Sequence, residues 1–520
     1  MLKSLLIAAA ASILAPSLFA QSGATLYRVD GFSSLNGNGG ALASLGDING
    51  DGVSDFVMGG DQYITFGSTS AIVFSGADGS VIYSWSGFNN AEAVANAGDV
   101  DNDGVNDIII GSIWTNSSAG QAKVYSGATG TLLYTFDGVA SSAYLGNAVS
   151  GAGDINGDGF DDLLIGAWGE TGAQSFSGAA YIYSGADGSE LRRIGGSFDS
   201  GYFGHSVAGV GDVDGDSVPD QLIGELGNAT FGSNTGAAYL YSGATGALLQ
   251  TWIGPHGNSR FGERVAAVGD LDGDGFGECI IGAQFEDPGT GAAHVISLAT
   301  GTTLFVLKGY EPTEVFARSV AGSPDVDGDG TPDLLVGSDR FYSSGGYTGM
   351  VRVFSGADGQ ELQRFTASSA TGRLGLAVAG LGDVNGDGFG DYVAGAPEEG
   401  FAGFKSGSAY VVSGALLGLH LAVENWGPSS TATFRIRGGT AFGSALIGYS
   451  LAGAGPTPTA YGDVAMTAPI QTLASITLDA NGFGEHQQSL PAAIAGRTVW
   501  SQALDLGSGT LSNPNPLLVN

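Results

Sequence analysis

Seven nine-residue segments of this 520-residue chain hold oxygen-bearing side chains at one fixed spacing. In GDINGDGFDDLLIGA, residues 153–167, positions 1, 3, 5 and 9 of the segment are Asp154, Asn156, Asp158 and Asp162. The first two segments place Asp47, Asn49, Asp51 and Asp55, then Asp99, Asp101, Asp103 and Asp107, at those positions. The fourth and fifth have Asp212, Asp214, Asp216 and Asp220, then Asp270, Asp272, Asp274 and Glu278. The last two have Asp325, Asp327, Asp329 and Asp333, then Asp383, Asn385, Asp387 and Asp391. Of these 28 side chains 25 are acids, almost half of the 51 in the chain, so the segments carry much of the net charge of −34.

Oxygen at 1, 3 and 5, a backbone carbonyl at 7 and a Gly at 6 that permits a sharp bend is the ligand order of the EF-hand calcium loop. Position 6 is Gly in six of the seven segments, and an acid at 9, opening the next apolar run, stands where the EF-hand has a Glu at 12. A hard cation taking six to eight oxygens at about 2.4 Å suits such a loop, Mg²⁺ demands a stricter octahedron, and nothing here offers the thiolate or imidazole of a zinc site. The expectation is Ca²⁺, up to seven ions, which would reduce −34 to about −20. The alternative is a set of Asx turns without an ion. Against it, three or four unbound carboxylates would repel one another at close range, seven times over. The weakest sites are expected in the fourth segment, with Ser217 for Gly and Pro219 before the last ligand, and in the fifth, where Glu278 reaches further; Asn102 is a milder departure.

The segments recur at spacings of 52, 55, 58, 58, 55 and 58 residues, and the similarity extends around each. Each unit reads as strand, acidic loop, strand, variable loop, strand, SGA-x-G turn, strand, in short runs of Val, Ile, Leu and Tyr bounded by Gly, Asp and Ser. Four antiparallel strands per unit of this length predict a blade of a β-propeller, and seven units predict an all-β, seven-bladed ring. The 92 glycines fit tight turns and crowding near an axis. The seventh unit lacks a clear fourth strand, while ATLYRVDG at 24–31 resembles one, so Leu26 to Val29 are expected to supply it and seal the ring; an unpaired leader strand is the alternative.

An excess of 51 acids over 17 bases argues against nucleic acid and anionic lipid, which are bound through Lys and Arg. Residues 1–20 have Lys3, an apolar stretch and Ala20, the layout of a secretory signal peptide, although Leu18 is large for its place before the cut. An uncleaved anchor is the alternative, but the apolar segment is short for a span, and the mature chain is expected to be exported, secreted or cell-surface, with no transmembrane segment. The single cysteine, Cys279, sits in an apolar run and reads as core.

These units resemble FG-GAP repeats, the units of the integrin α-subunit propeller. The FG element stands at Phe203-Gly204 and Phe261-Gly262, and the GAP element at Gly395-Ala396-Pro397, with variants elsewhere. The likeness covers about residues 24–418. It implies calcium in the loops between first and second strands, and a ligand face opposite them. Integrins carry the loops in only some blades, and their leg domains, membrane helix and tail have no counterpart here, so heterodimer formation and signalling do not carry over.

Strand alternation puts the acidic loops and SGA-x-G turns at one end and the variable loops at the other, where binding residues tend to lie. The aromatic candidates there are Tyr63, Trp114, Trp168, Phe231, Phe285, Tyr342 and Phe401, suited to sugars or protein surfaces or, alternatively, to packing between blades. No catalytic set emerges: the five histidines share no spacing, and His205, at a position filled by Asn147, Glu263 and Arg318 in other units, reads as a surface substitution. From about residue 419 the period stops, and alternating runs predict a small β-sandwich-like domain over 419–520, after a propeller over 21–418. The sequence therefore predicts a monomeric adhesion or recognition module for an extracellular protein or glycan. The alternative is a secreted polysaccharide lyase or hydrolase built on the same scaffold.

Overall fold

The computed structural model describes residues 24–31, 37–60, 69–88, 91–172, 174–310, 314–343, 346–366, 371–402 and 404–414 almost throughout, with strands beyond them up to residue 518. The signal-peptide reading of 1–20 and the candidate Tyr63 lie outside the described residues.

Residues Ala24–Gly414 form one compact unit. In it seven antiparallel sheets follow one another; blades one to six hold their four strands in chain order, and blade seven takes its outer strand from the N-terminus. Blade three is typical: Leu145–Gly153, Asp162–Ala167, Ala179–Tyr183 and Glu190–Gly195. Position in the blade follows from composition. The second strands, such as DLLIGA, are largely apolar after the acid that opens them and are buried on both faces, because a neighbouring blade covers each side. The fourth strands, such as ELRRIG, alternate and stay largely exposed at the rim. First strands are made largely of Gly, Ala, Val and Ser, and each touches the first strand of the next blade all the way round, from blade seven back to blade one.

The ring closes with the N-terminal strand. Ala24–Asp30 pairs antiparallel with Ser408–Ser413 as the outer strand of blade seven, with Tyr27 opposite Val411 and Val29 opposite Ala409. The predicted segment Leu26 to Val29 lies inside this strand, so the unpaired-leader alternative fails. Tyr27 also donates its hydroxyl to the Gly76 carbonyl of blade one at 2.6 Å. The same kind of strut recurs where Trp85 and Trp252 donate to the turn carbonyls of Gly130 and Gly301 in the next blade, each at 3.0 Å.

The core lies between blades rather than within one. Ile109 and Val124 of blade two share an apolar cluster with Leu163, Ile165 and Tyr181 of blade three. Each such fully buried side chain contributes roughly 1.5–3 kcal/mol. Two glycines show why the blades can come so close. A Cβ on Gly166, in the GAP position of blade three, would lie 2.1 Å from the carbonyl oxygen of Gly204, in the FG position of blade four. Gly204 itself has φ of 80°, where a side chain is strained. Cys279 is fully buried, as expected.

Residues Ala415–Asn520 belong to a second unit. Its strands form a three-stranded, a four-stranded and a two-stranded sheet, all antiparallel.

Candidate metal centres and the opposite face

Each acidic loop is wound around its first aspartate. In blade three Asp154 Oδ1 accepts the N–H groups of Gly157 at 2.7 Å and Asp158 at 3.1 Å, and Oδ2 accepts that of Gly159 at 2.9 Å. Asp158, at position 5, accepts the N–H of Phe160 at 3.0 Å. The loop bends back through left-handed residues at positions 4 and 6, with φ of 74° at Gly157 and 90° at Gly159. No neighbour lies within 4 Å of a Cβ at either glycine, so it is the backbone angle, not space, that selects Gly.

Position 9 does something different. Asp162 is fully buried and accepts from Ile155 N at 2.9 Å in its own loop and from Gly185 N at 3.0 Å in the SGA-x-G turn. The same clamp joins loop to turn at Asp55 with Gly76, Asp107 with Gly127, Asp220 with Gly243, Asp333 with Gly356 and Asp391 with Gly414, at 2.8–3.0 Å. Burial pushes Asp107 up to about 7, despite the N–H donors of Gly127 and Val100, and Asp101 and Asp103 push the same way. Burial likewise takes Asp55, Asp162 and Asp391 up to about 6.

Positions 1, 3 and 9 converge wherever all three are acids. Carboxylate oxygens of Asp99, Asp101 and Asp107 lie within 4.8 Å of one another, as do those of Asp212, Asp214 and Asp220; Asp270, Asp272 and Glu278; and Asp325, Asp327 and Asp333. Where position 3 is Asn its amide sits among the carboxylates: Asn49 Nδ2 donates to Asp51 at 2.9 Å and Asn156 Nδ2 to Asp158 at 2.8 Å. Two oxygens of the set, Asp101 Oδ1 and Glu278 Oε1, are buried with no hydrogen-bond partner. Hard oxygen donors, mutual repulsion and orphaned lone pairs are what a divalent cation would satisfy, so the donor set fits one.

Two blades depart from the pattern in informative ways. Ser217 adopts φ of 70° at position 6 of blade four, holding the Gly conformation with a side chain. In blade five Glu278 accepts from Leu271 N at 2.5 Å, but the turn residue that is Gly elsewhere is the buried Leu298. In the other blades that glycine is pressed against the loop: a Cβ added to Gly185 would fall 2.1 Å from the Asp161 carbonyl oxygen. Leucine cannot approach so closely, and the longer acid accompanies the lost clamp.

The opposite end is built from variable loops. Loop 2–3 of one blade meets the connection into the next through short bridges such as Gly178 with Phe203 and Gly236 with Phe261. Here Trp114, Tyr144, Trp168 and Tyr202 form a continuous row of rings. Trp114 meets Tyr144 edge-on at 5.9 Å, Tyr144 stacks on Trp168 at 4.4 Å, and Trp168 meets Tyr202 edge-on at 5.3 Å. Trp114 is exposed and Trp168 half-buried. Tyr144 and Tyr202, which the sequence did not single out, are held in left-handed backbone at φ of 55° and 56°. The other candidates stand apart from this row. Phe231 is exposed, Phe285 lies under the Arg260 guanidinium at 4.7 Å, Tyr342 meets Tyr347 at 5.7 Å, and Phe401 lies under Arg28 at 3.6 Å.

His205 is not a surface substitution. It faces a cavity of about 270 Å³ on the propeller axis, in a ring of residues that begin the first strands. Burial, followed by the charge of Arg264, pushes its pKa down to about 3, which keeps the imidazole neutral. The column that looked like surface variation in the repeat is the lining of the axis.

A family model described as "FG-GAP repeat" matches residues 145–183, 261–296 and 316–354. The chain is similar to Integrin alpha-5 of Xenopus laevis, 33% identical over 204 residues, which cover 36% of this chain and 19% of that protein. It is similar to Integrin alpha-V of Gallus gallus, 31% identical over 236 residues, 42% of this chain and 22% of that one. Against Integrin alpha-PS2 of Drosophila melanogaster it is 35% identical over 162 residues, 29% and 11% of the two chains. It thus spans about a fifth or less of the length of these relatives. Among solved structures it resembles the Kuenenia stuttgartiensis Hydrazine Synthase, at a TM-score of 0.46 and 12% identity over 75% of this chain and 98% of that one. The Dos1 propeller follows at 0.40 and 11%, over 76% and 95%.

Proposed function

We propose, on the premise that this chain carries FG-GAP repeats and an integrin-α-like propeller, that it is an exported recognition module of the adhesion type. Its acidic loops hold calcium, and its ligand, an extracellular protein or glycan, docks on the variable-loop face. The propeller extends over 21–418 and a β-sandwich-like domain over 419–520. Positions 1, 3, 5 and 9 of each loop, with the carbonyl at 7, would hold the ion; when bound, calcium would neutralise the converging carboxylates. The observation that carries the binding reading is the row Trp114, Tyr144, Trp168 and Tyr202. Rings already locked against one another lose little freedom on docking and offer flat apolar area to a sugar or side chain.

A glycan and matrix-protein array, run in 1 mM calcium and again in chelator, tests this. We expect binding to a defined subset in calcium, reduced at least tenfold in chelator and in the double substitution Trp114→Ala with Trp168→Ala. No ligand in either condition, or binding indifferent to the two tryptophans, would overturn it, and cleavage of an arrayed polysaccharide would move the reading to an enzyme.

A further inference from the structure

The axial cavity has a chemistry opposite to that of the rest of the molecule. The residue seven places before each loop's first aspartate is Gly40, Glu92, Asn147, His205, Glu263, Arg318 and Leu376 in blades one to seven. Six of these line the cavity; in blade five the lining residue is Arg264, next to Glu263. Neighbours in the column touch in turn. Asn147 Nδ2 donates to the His205 carbonyl at 2.9 Å, His205 Nδ1 lies 3.3 Å from the Glu263 carbonyl, and Arg318 Nη1 donates to Glu263 Oε1 at 3.4 Å. The arc from Asn147 to Arg318 is thus polar and cross-braced, while Leu376 and Gly40 leave the other side apolar or bare.

The charge balance is what marks the site. The chain carries 17 basic residues against 51 acids, yet two arginines, 264 and 318, face this one cavity. Glu263 is turned into the wall, against Arg318 and against Arg260 at 3.7 Å. Glu92 has one oxygen bound to Ile113 N at 2.5 Å, and its other oxygen is buried without a hydrogen-bond partner. Burial pushes Glu92 up to about 8, so near neutral pH it presents a carboxyl O–H rather than a charge. Trp168, whose backbone N–H donates to Asn147 Oδ1 at 3.2 Å, forms part of the wall toward the variable loops.

We propose that the axial cavity binds a small hydroxylated carboxylate, the class to which uronic acids belong. Guanidinium groups match a carboxylate in geometry as well as charge. Arg264, braced on the Glu263 carbonyl at 2.9 Å, and Arg318, paired with the Glu263 carboxylate, supply them. The neutral imidazole of His205 supplies a hydroxyl partner, and Trp168 supplies an aromatic edge. At about 270 Å³ the space lies below the roughly 300–1,000 Å³ of pockets for drug-sized ligands, which suits a single sugar-sized molecule. The inference does not rest on docking at the outer aromatic row.

Calorimetric titration of the full chain in 1 mM calcium with D-glucuronate tests it, with D-glucose and inorganic phosphate as comparison probes. Expected are saturable binding of glucuronate, at least tenfold weaker binding of glucose and of phosphate, and at least tenfold loss in Arg264→Gln. Leu376→Phe, which narrows the cavity from its apolar side without touching the arginines, should weaken glucuronate in the same way. Trp114→Ala, outside the cavity, should leave it unchanged. No heat with glucuronate from folded protein, equal binding of glucose or phosphate, or binding that survives both cavity substitutions would overturn the proposal.

Discussion

Ser217 holds φ of 70° so that its N–H can reach Asp212 Oδ2 at 2.7 Å, the bond that Gly makes in the other loops. A side chain in that region costs about 1–2 kcal/mol, and glycine gives back part of this as unfolded-chain entropy. Ser217→Gly should therefore stabilise the protein by roughly 0.5–1 kcal/mol, read as a raised melting midpoint; a lowered one would contradict the account. Glu92 acts through protonation. Its folded pKa, about 8, lies above the ordinary 4.5, so the folded state keeps a proton that the unfolded chain has lost. The contribution is unfavourable and grows as pH rises across that window, by at most about 1.4 kcal/mol per pH unit. Melts of wild type and Glu92→Gln from pH 5 to 8.5 at fixed calcium should diverge, wild type falling relative to the variant; parallel curves would show that Glu92 titrates normally. The loop acids were legible in the sequence because their spacing is local. Glu92 and His205 were not, because what surrounds them is set by six other first strands. Their column did stand out, as charge and amide in strands made largely of Gly, Ala, Val and Ser.

Between residue and ring stands the loop–turn pair, and its clamp separates scaffold from ligand. Asp162→Ala would strand two N–H groups, of Ile155 and Gly185, which are buried beside it. At about 1–3 kcal/mol for each buried unsatisfied group, it should cost about 2–6 kcal/mol even in chelator. Asp158→Ala loses two exposed bonds, from Phe160 N and from Asn156 Nδ2, and in chelator should cost under about 1 kcal/mol. Denaturant midpoints of the two variants with and without calcium distinguish the roles; equal costs in chelator would mean that position 9 is a ligand and nothing more. Strand order, the four-strand unit and the two-ended division of loops followed from turn residues and periodicity. The clamp itself did not, since Asp162 and Gly185 are 23 residues apart and meet only once the blade has formed.

At the scale of the ring, calcium is expected to dominate stability. A site with a Kd near 0.1 mM gains about 1.4 kcal/mol at 1 mM calcium, or roughly 10 kcal/mol over seven independent sites absent from the unfolded chain. Melting with and without a chelator measures this, and an unchanged midpoint would end the metal reading. The seam in blade seven sets the other limit. Without residues 24–30 the strand Ser408–Ser413 becomes an open edge and blade one loses its strut from Tyr27. The truncated protein should melt earlier and elute partly as dimers or aggregates in gel filtration. That seam also bears on how the protein is made. Its two halves are roughly 390 residues apart, so at 5–20 residues per second the first-made strand waits some 20–80 s for its partner. Six blades can assemble in that interval while the leading strand remains an unpaired edge. A chain stopped before residue 408 is therefore left with an orphan strand at its start as well as an unfinished blade at its end. Premature release from the ribosome leaves an unpaired edge at both ends of the chain, and the ring closes only when its last strand is complete.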